Sequence, residues 1–184
     1  MGAHSGKMDP EDGLYLLRTV TKILNDHGID TWLDCGTLLG IVRDRKLIEY
    51  DTDVDIATYV ENYVEVKKIM KNKKLLEKYG LVVSRSGGDT YNKKLFSIKI
   101  KDKPTYLDLY FWEWLPKTGT ITFKGGRYLT PKDPEKYLEY LYGTGWRIPK
   151  RGKHGGSVNH KWYIRFSDYH RDYHLETKFR KLHY

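Results

Sequence analysis

The stretch IDTWLDCGTLLGIVRDRKLIEYDTDVDIATY, Ile29–Tyr59, joins two strand-like runs through a glycine break. The first run, Thr31–Leu33, stops at Cys35-Gly36-Thr37. A basic segment with Arg43, Arg45 and Lys46 follows, and the second run carries Asp51, Asp53 and Asp55. Successive side chains of a strand point to opposite faces, so acids at every second position crowd one face. Val54 and Ile56 then face a core. Like charges so close repel, and each resists losing its water. A divalent cation among the oxygens removes both costs, and carboxylate and water ligands suit Mg²⁺ or Mn²⁺.

A solvated turn would account for the YDTD portion by itself. Two features outside it argue for chemistry. Gly36-Thr37 follows a strand and opens a short helix, where backbone N–H groups make a phosphate site. Asp108 sits inside the apolar run Tyr106–Trp114, where an unpaired charge is expensive. A Gly-Thr turn, then Asp-x-Asp on a strand, then a lone Asp on a later strand is the layout of a two-metal phosphoryl-transfer site. Asp108 shares a period-two face with Tyr106 and Tyr110, and would join Asp53 and Asp55 if the strands are neighbours. Asp102 and Glu113 are competing acids, at a turn and a strand end.

These residues resemble the nucleotidyltransferase superfamily of DNA polymerase beta. More narrowly, WLDCGTLLGIVRDRKLIEYDTDVDIA resembles the LicD family, which includes choline-phosphate transferases and the domain of fukutin and fukutin-related protein. The matching pieces are Gly36-Thr37-Leu38-Leu39-Gly40, Arg43 and Asp51-Thr52-Asp53-Val54-Asp55, with Thr52 departing from three consecutive acids. TYLDLYFWEW and PEKYLEYLYGTGWRIPKRGKH resemble later elements of the same family.

The resemblance implies an α+β fold, a nucleotidyltransferase-like mixed β-sheet with helices packed mainly on one face. It implies that Asp53 and Asp55 hold one Mg²⁺ (or Mn²⁺), and that Asp53, Asp55 and Asp108 share a second. Asp51 is a further metal candidate, or orients Arg43. Asp108 would take the acceptor's proton. Gly36, Thr37 and Arg43 would meet the donor's phosphates, with Lys93 a further candidate in the loop Arg85–Asn92 and its flank. The implied donor is a CDP-activated alcohol (phosphocholine, ribitol phosphate or similar) and the acceptor a glycan hydroxyl. The alternatives are nucleotidyl transfer from an NTP to a small molecule, protein or RNA, and a non-catalytic nucleotide- or glycan-binding module.

The 184 residues carry 33 Lys+Arg against 24 Asp+Glu, a net charge of +9 that favours phosphate-bearing partners. The basic residues are dispersed apart from Lys71, Lys73 and Lys74 and from Arg147, Lys150, Arg151 and Lys153. No nucleic-acid motif accompanies them, so no nucleic-acid partner is expected. No apolar run approaches the length of a membrane span. The single Cys35 fits a reducing compartment, hence a cytoplasmic protein, an excised secretory-pathway domain being the alternative. It reads as a small buried filler rather than a nucleophile.

Met1–Met8 is expected to be a disordered lead or tag, and residues 9–184 one domain. Asp9-Pro10-Glu11 starts a helix with the stripe Leu16, Leu17, Val20, Ile23 and Leu24, ended by Gly28. A strand Ile29–Asp34 and a helix Leu38–Val42 follow. A helix Glu61–Tyr79 turns Val64, Ile69, Leu75 and Leu76 inward. Strands Leu81–Ser84, Leu95–Lys101 and Tyr106–Trp114, a hairpin about Lys124-Gly125-Gly126, and a helix Pro134–Tyr142 complete the fold. Trp146 and Pro149 read as a packed anchor. Residues 150–184 are expected as a polar, helical tail, and the spacing of its Asp168, His170, Asp172 and His174 matches no strong metal site.

Overall fold

A computed structural model describes residues 7–86, 95–112 and 118–149. They belong to two compact units, one ending at Pro134 and the other beginning at Glu135. The first unit opens with helix α1 (Pro10–Asp26), whose N-cap Asp9 accepts the amides of Glu11 and Asp12. Gly28, at φ +73°, supplies the left-handed turn after the helix. Strand β1 (Trp32–Leu33), helix α2 (Cys35–Asp44) and strand β2 (Asp53–Tyr59) follow. After a 3₁₀ turn come helices α3 (Tyr63–Lys71) and α4 (Lys73–Lys78), then strands β3 (Leu81–Ser86), β4 (Leu95–Ile100), β5 (Tyr106–Trp112), β6 (Thr118–Phe123) and β7 (Gly126–Pro131). The second unit holds helix α5 (Pro134–Tyr142).

The strands form one mixed seven-stranded sheet in the order β3-β4-β5-β2-β1-β7-β6. The pairs β2/β5 and β1/β7 are parallel and the others antiparallel. One face of the central strands carries Val54 and Ile56 of β2, Leu107 and Leu109 of β5, and Phe96 and Ile98 of β4, all buried. Helix α1 lies on that face, since a side chain on its Gly13 would press against Val54. So does α3, whose Tyr63 ring packs against Phe96 and Phe111. Leu16, Leu17, Val20, Ile23 and Leu24 of the predicted α1 stripe are all buried. Each contributes about 1.5–3 kcal/mol by leaving water.

Several expectations are corrected. Met8 belongs to the fold: it is buried, and its amide donates to the Asp51 carbonyl at 2.8 Å. The helix expected over Glu61–Tyr79 breaks at Asn72, whose side chain accepts the Leu75 amide and starts α4. Val66, Ile69 and Met70 form the buried stripe of α3, and Val64, five residues before Ile69, falls outside it and is 65% exposed. Strand β1 is shorter than expected because Asp34 already caps α2. Asp51 precedes β2 rather than lying on it. In the second unit, Trp146 is buried beneath the Arg147 guanidinium, but Pro149 is exposed, so the anchor is Trp146 alone. The expected polar tail and the lead before Lys7 lie outside the described residues.

Candidate active site

The acids assemble where β2 leaves the turn after α2. In the parallel β2/β5 register Asp55 is paired directly with Asp108, so both project from the face opposite Val54 and Leu107. They are buried, at 6% and 5% exposure. Asp51 and Asp53 are half-buried, and one carboxylate oxygen each from Asp51, Asp53 and Asp55 lie within 4.8 Å of one another. The sequence expectation that these acids meet therefore holds, although Asp51 arrives from the turn and not from a strand pleat.

Helix α2 is fastened to this cluster. Asp34, fully buried, accepts the Cys35 amide on one oxygen and the Trp112 indole N–H on the other, both at 2.8 Å. The Gly36 amide donates to Asp55 Oδ2 at 3.0 Å, and the Asp55 amide donates to Thr37 Oγ1 at 2.7 Å. Thr37 is itself buried. Thus Gly36 and Thr37, expected at a phosphate, are found holding the acid strand. A Cβ on Gly36 would lie 2.4 Å from Asp51 Oδ2 and 3.3 Å from Asp55 Oδ2, so only glycine lets the acids close over the helix start. Thr52, the departure from three consecutive acids, donates its hydroxyl to Asp53 Oδ1 at 3.2 Å.

Arg43 is not among the acids of the cluster. Its Nε and Nη2 donate to the Asp44 carboxylate, and the side chain is 8% exposed. Lys93 lies outside the described residues.

The electrostatics are those of crowded, largely buried carboxylates. Burial first, then the charges of Asp53, Asp51, Asp108 and Asp34, push the Asp55 carboxyl well above its ordinary range. Burial raises Asp51 as well, partly offset by the Thr52 amide. Burial and then the charges of Asp34, Asp55, Asp53 and Asp51 push the Cys35 thiol well up, which keeps it protonated and unsuited to attack. Clustered hard carboxylate oxygens, closed over a glycine, fit Mg²⁺ or Mn²⁺ and suit neither a soft metal nor an anion.

Asp34 is the site residue the sequence did not single out. Its signal is the position itself, an Asp immediately before Cys-Gly-Thr at a helix start.

Comparison with known proteins agrees with this architecture. Residues 28–141 match the family described as LicD/FKTN/FKRP, nucleotidyltransferase domain. Ribitol-5-phosphate transferase FKTN of Homo sapiens is 28% identical over 158 residues, covering 73% of this chain and 33% of that protein. Ribitol 5-phosphate transferase FKRP of Homo sapiens is 24% identical over 107 residues, covering 57% of this chain and 21% of that protein. The chain thus spans a third or less of these relatives' length. The solution structure of the antibiotic-resistance factor ANT(2'')-Ia superposes with a TM-score of 0.51 at 14% identity, covering 96% of this chain and 100% of that one, a likeness of fold. No helix among the described residues is long and apolar enough to cross a membrane.

Proposed function

This chain belongs to the LicD/FKTN/FKRP nucleotidyltransferase domain family, and from that premise we propose that it is a metal-dependent transferase moving a phospho-alcohol from a CDP-activated donor to a glycan hydroxyl. The observation that carries the reading is Asp55 paired with Asp108 across parallel strands, with oxygens of Asp51, Asp53 and Asp55 within 4.8 Å of one another. The names of the two human relatives favour ribitol phosphate as the group transferred.

In this reading Asp51, Asp53 and Asp55 hold Mg²⁺ or Mn²⁺, and Asp108 completes the set on the acceptor's side. The ion, when bound, supplies charge neutralisation for the phosphate oxygens. The protein's own work is positioning. Asp108 accepts the acceptor hydroxyl's proton on a carboxylate oxygen. The acceptor oxygen–phosphorus bond forms as the bond from phosphorus to the CMP oxygen breaks, and CMP leaves with the electron pair. Gly36 and Thr37 keep the acid strand against α2, leaving the helix start beside the donor's phosphates. Arg43 and Lys93 are the remaining candidates for those phosphates. Arg43 would have to share its guanidinium with Asp44.

The test is ³¹P NMR of CDP-ribitol, CDP-choline and ATP with the protein and Mn²⁺ or Mg²⁺, in the presence of a glycan panel. Appearance of CMP from a CDP-alcohol with a new phosphodiester signal, absent for Asp53→Asn/Asp55→Asn, supports the reading. Pyrophosphate released from ATP instead would move the assignment to nucleotidyl transfer.

A further inference from the structure

The face of the sheet that carries the acids does not end with them. Registered partners share a face, so beyond Asp55 and Asp108 come Ala57 with Tyr110, then Tyr59 with Trp112. Trp32 joins the same face through its pairing with Ala57. The rings form a contiguous strip. Trp32 meets Tyr59 edge-on at 5.0 Å between centroids, and Tyr110 and Trp112 stack nearly parallel, 6.1 Å apart at 14°. Trp32 and Ala57 are buried at its root, while Tyr59, Tyr110 and Trp112 are half-buried. The Trp32 indole N–H, buried, has no hydrogen-bond partner, a cost that a polar ligand edge or a water would remove.

Resting on the transferase reading above, we propose that Tyr59, Tyr110 and Trp112 form a sugar-stacking subsite that takes the acceptor's pyranose rings beside the hydroxyl that reacts. Three arguments lead there. The first is distance: two strand residues rise about 6.7 Å, so Tyr110 stands one such step from Asp108 and Trp112 two steps. That is where the ring bearing the hydroxyl, and the next one, would lie. The second is direction. Attacking and leaving oxygens are roughly in line across phosphorus. The acceptor therefore lies on the Asp108 side, along β5, the strand that also carries Tyr110 and Trp112. The third is shape. An ammonium held by aromatic rings sits over their faces, within about 6 Å of each centroid. Trp32 and Tyr59 are already in contact edge-to-face, and Tyr110 and Trp112 stack on each other, so within each pair the rings pack against each other and do not frame a cation. They make a wall for a flat apolar face, and the C–H face of a pyranose is one.

The test is saturation-transfer difference NMR with methyl β-D-galactopyranoside, methyl β-D-xylopyranoside and methyl N-acetyl-β-D-glucosaminide, without metal or nucleotide. At least one glycoside should receive saturation at the C–H protons of one ring face. Tyr59→Leu should weaken the effect at least several-fold, and Tyr59→Phe, which keeps the ring, should retain it. Trp112 is left intact because it also holds Asp34. No transfer to any of the three, or transfer equal in Tyr59→Leu, overturns the proposal. So does displacement of the sugar by CDP alone, which would assign the strip to the donor's base. Because the subsite needs no metal, binding should persist in Asp53→Asn/Asp55→Asn. Sugar binding with no CMP release would sink the transferase reading and leave the subsite standing.

Discussion

Gly36→Ala separates metal binding from folding. The added Cβ would lie 2.4 Å from Asp51 Oδ2, closer than real contacts allow, and 3.3 Å from Asp55 Oδ2. The backbone of Gly36 lies outside the left-handed region, so alanine itself fits the chain there. What must yield is the far end of the Asp51 side chain, which swings out and takes one oxygen from the cluster. Without metal this costs little. Alanine in place of helical glycine gains about 0.5–1 kcal/mol, which offsets the displacement. With metal the difference is large. A ligand at a hundredfold excess over its Kd stabilises the folded state by about 2.7 kcal/mol. For a chain of this size that corresponds to a Tm rise of about 5–11 °C. Differential scanning fluorimetry with and without Mn²⁺ should therefore give nearly equal metal-free Tm values, with the Mn²⁺ shift present in the native chain and largely lost in the variant. A full Mn²⁺ shift in Gly36→Ala would refute the placement of the cation between Asp51 and Asp55.

Three further outcomes follow from the same geometry. The raised Asp55 carboxyl means that the folded chain holds a proton more tightly than the unfolded one. Metal-free stability should thus be greatest at acid pH and fall as pH rises through the raised value, by at most about 1.4 kcal/mol per pH unit for one proton. Urea titrations across pH should show this slope, flattened in Asp55→Asn. Trp112→Phe removes the indole donor from the fully buried Asp34. It should cost about 1.5–3 kcal/mol, as for hydrogen bonds to charged groups, by urea unfolding. Thr37→Val leaves the Asp55 amide without its hydroxyl acceptor and should cost about 1–3 kcal/mol, while Thr37→Ser keeps the bond and most of the stability.

Local rules made much of the fold readable. The Asp9-Pro10 start and Gly28 stop frame α1, and Lys124-Gly125 lies at the hairpin between β6 and β7. Asp108 was legible because a lone acid in an apolar run needs a reason, and the β2/β5 pairing supplies it. What stayed hidden depends on tertiary choices. Asn72 can sit within a helix or cap a new one, and sequence periodicity does not choose between them. Asp34 looks like an ordinary cap until Trp112, distant in sequence, arrives to hold its second oxygen. Gly36-Thr37 reads as a phosphate turn, and the sequence does not show that the Gly36 amide donates to Asp55 or that the Thr37 hydroxyl accepts the Asp55 amide. The aromatic strip crosses β1, β2 and β5, so its rings become neighbours only once the strand order is set.

The most direct measurement is calorimetric titration of Mn²⁺ into the metal-free chain, alongside Asp53→Asn/Asp55→Asn, with the Tm of each recorded. A cation held by Asp51, Asp53 and Asp55 predicts saturable binding to the native chain, loss of that binding in the variant, and a variant whose metal-free Tm is equal or higher because the clustered charges are gone. Equal Mn²⁺ affinity in both chains, or no binding to the native one, would contradict it.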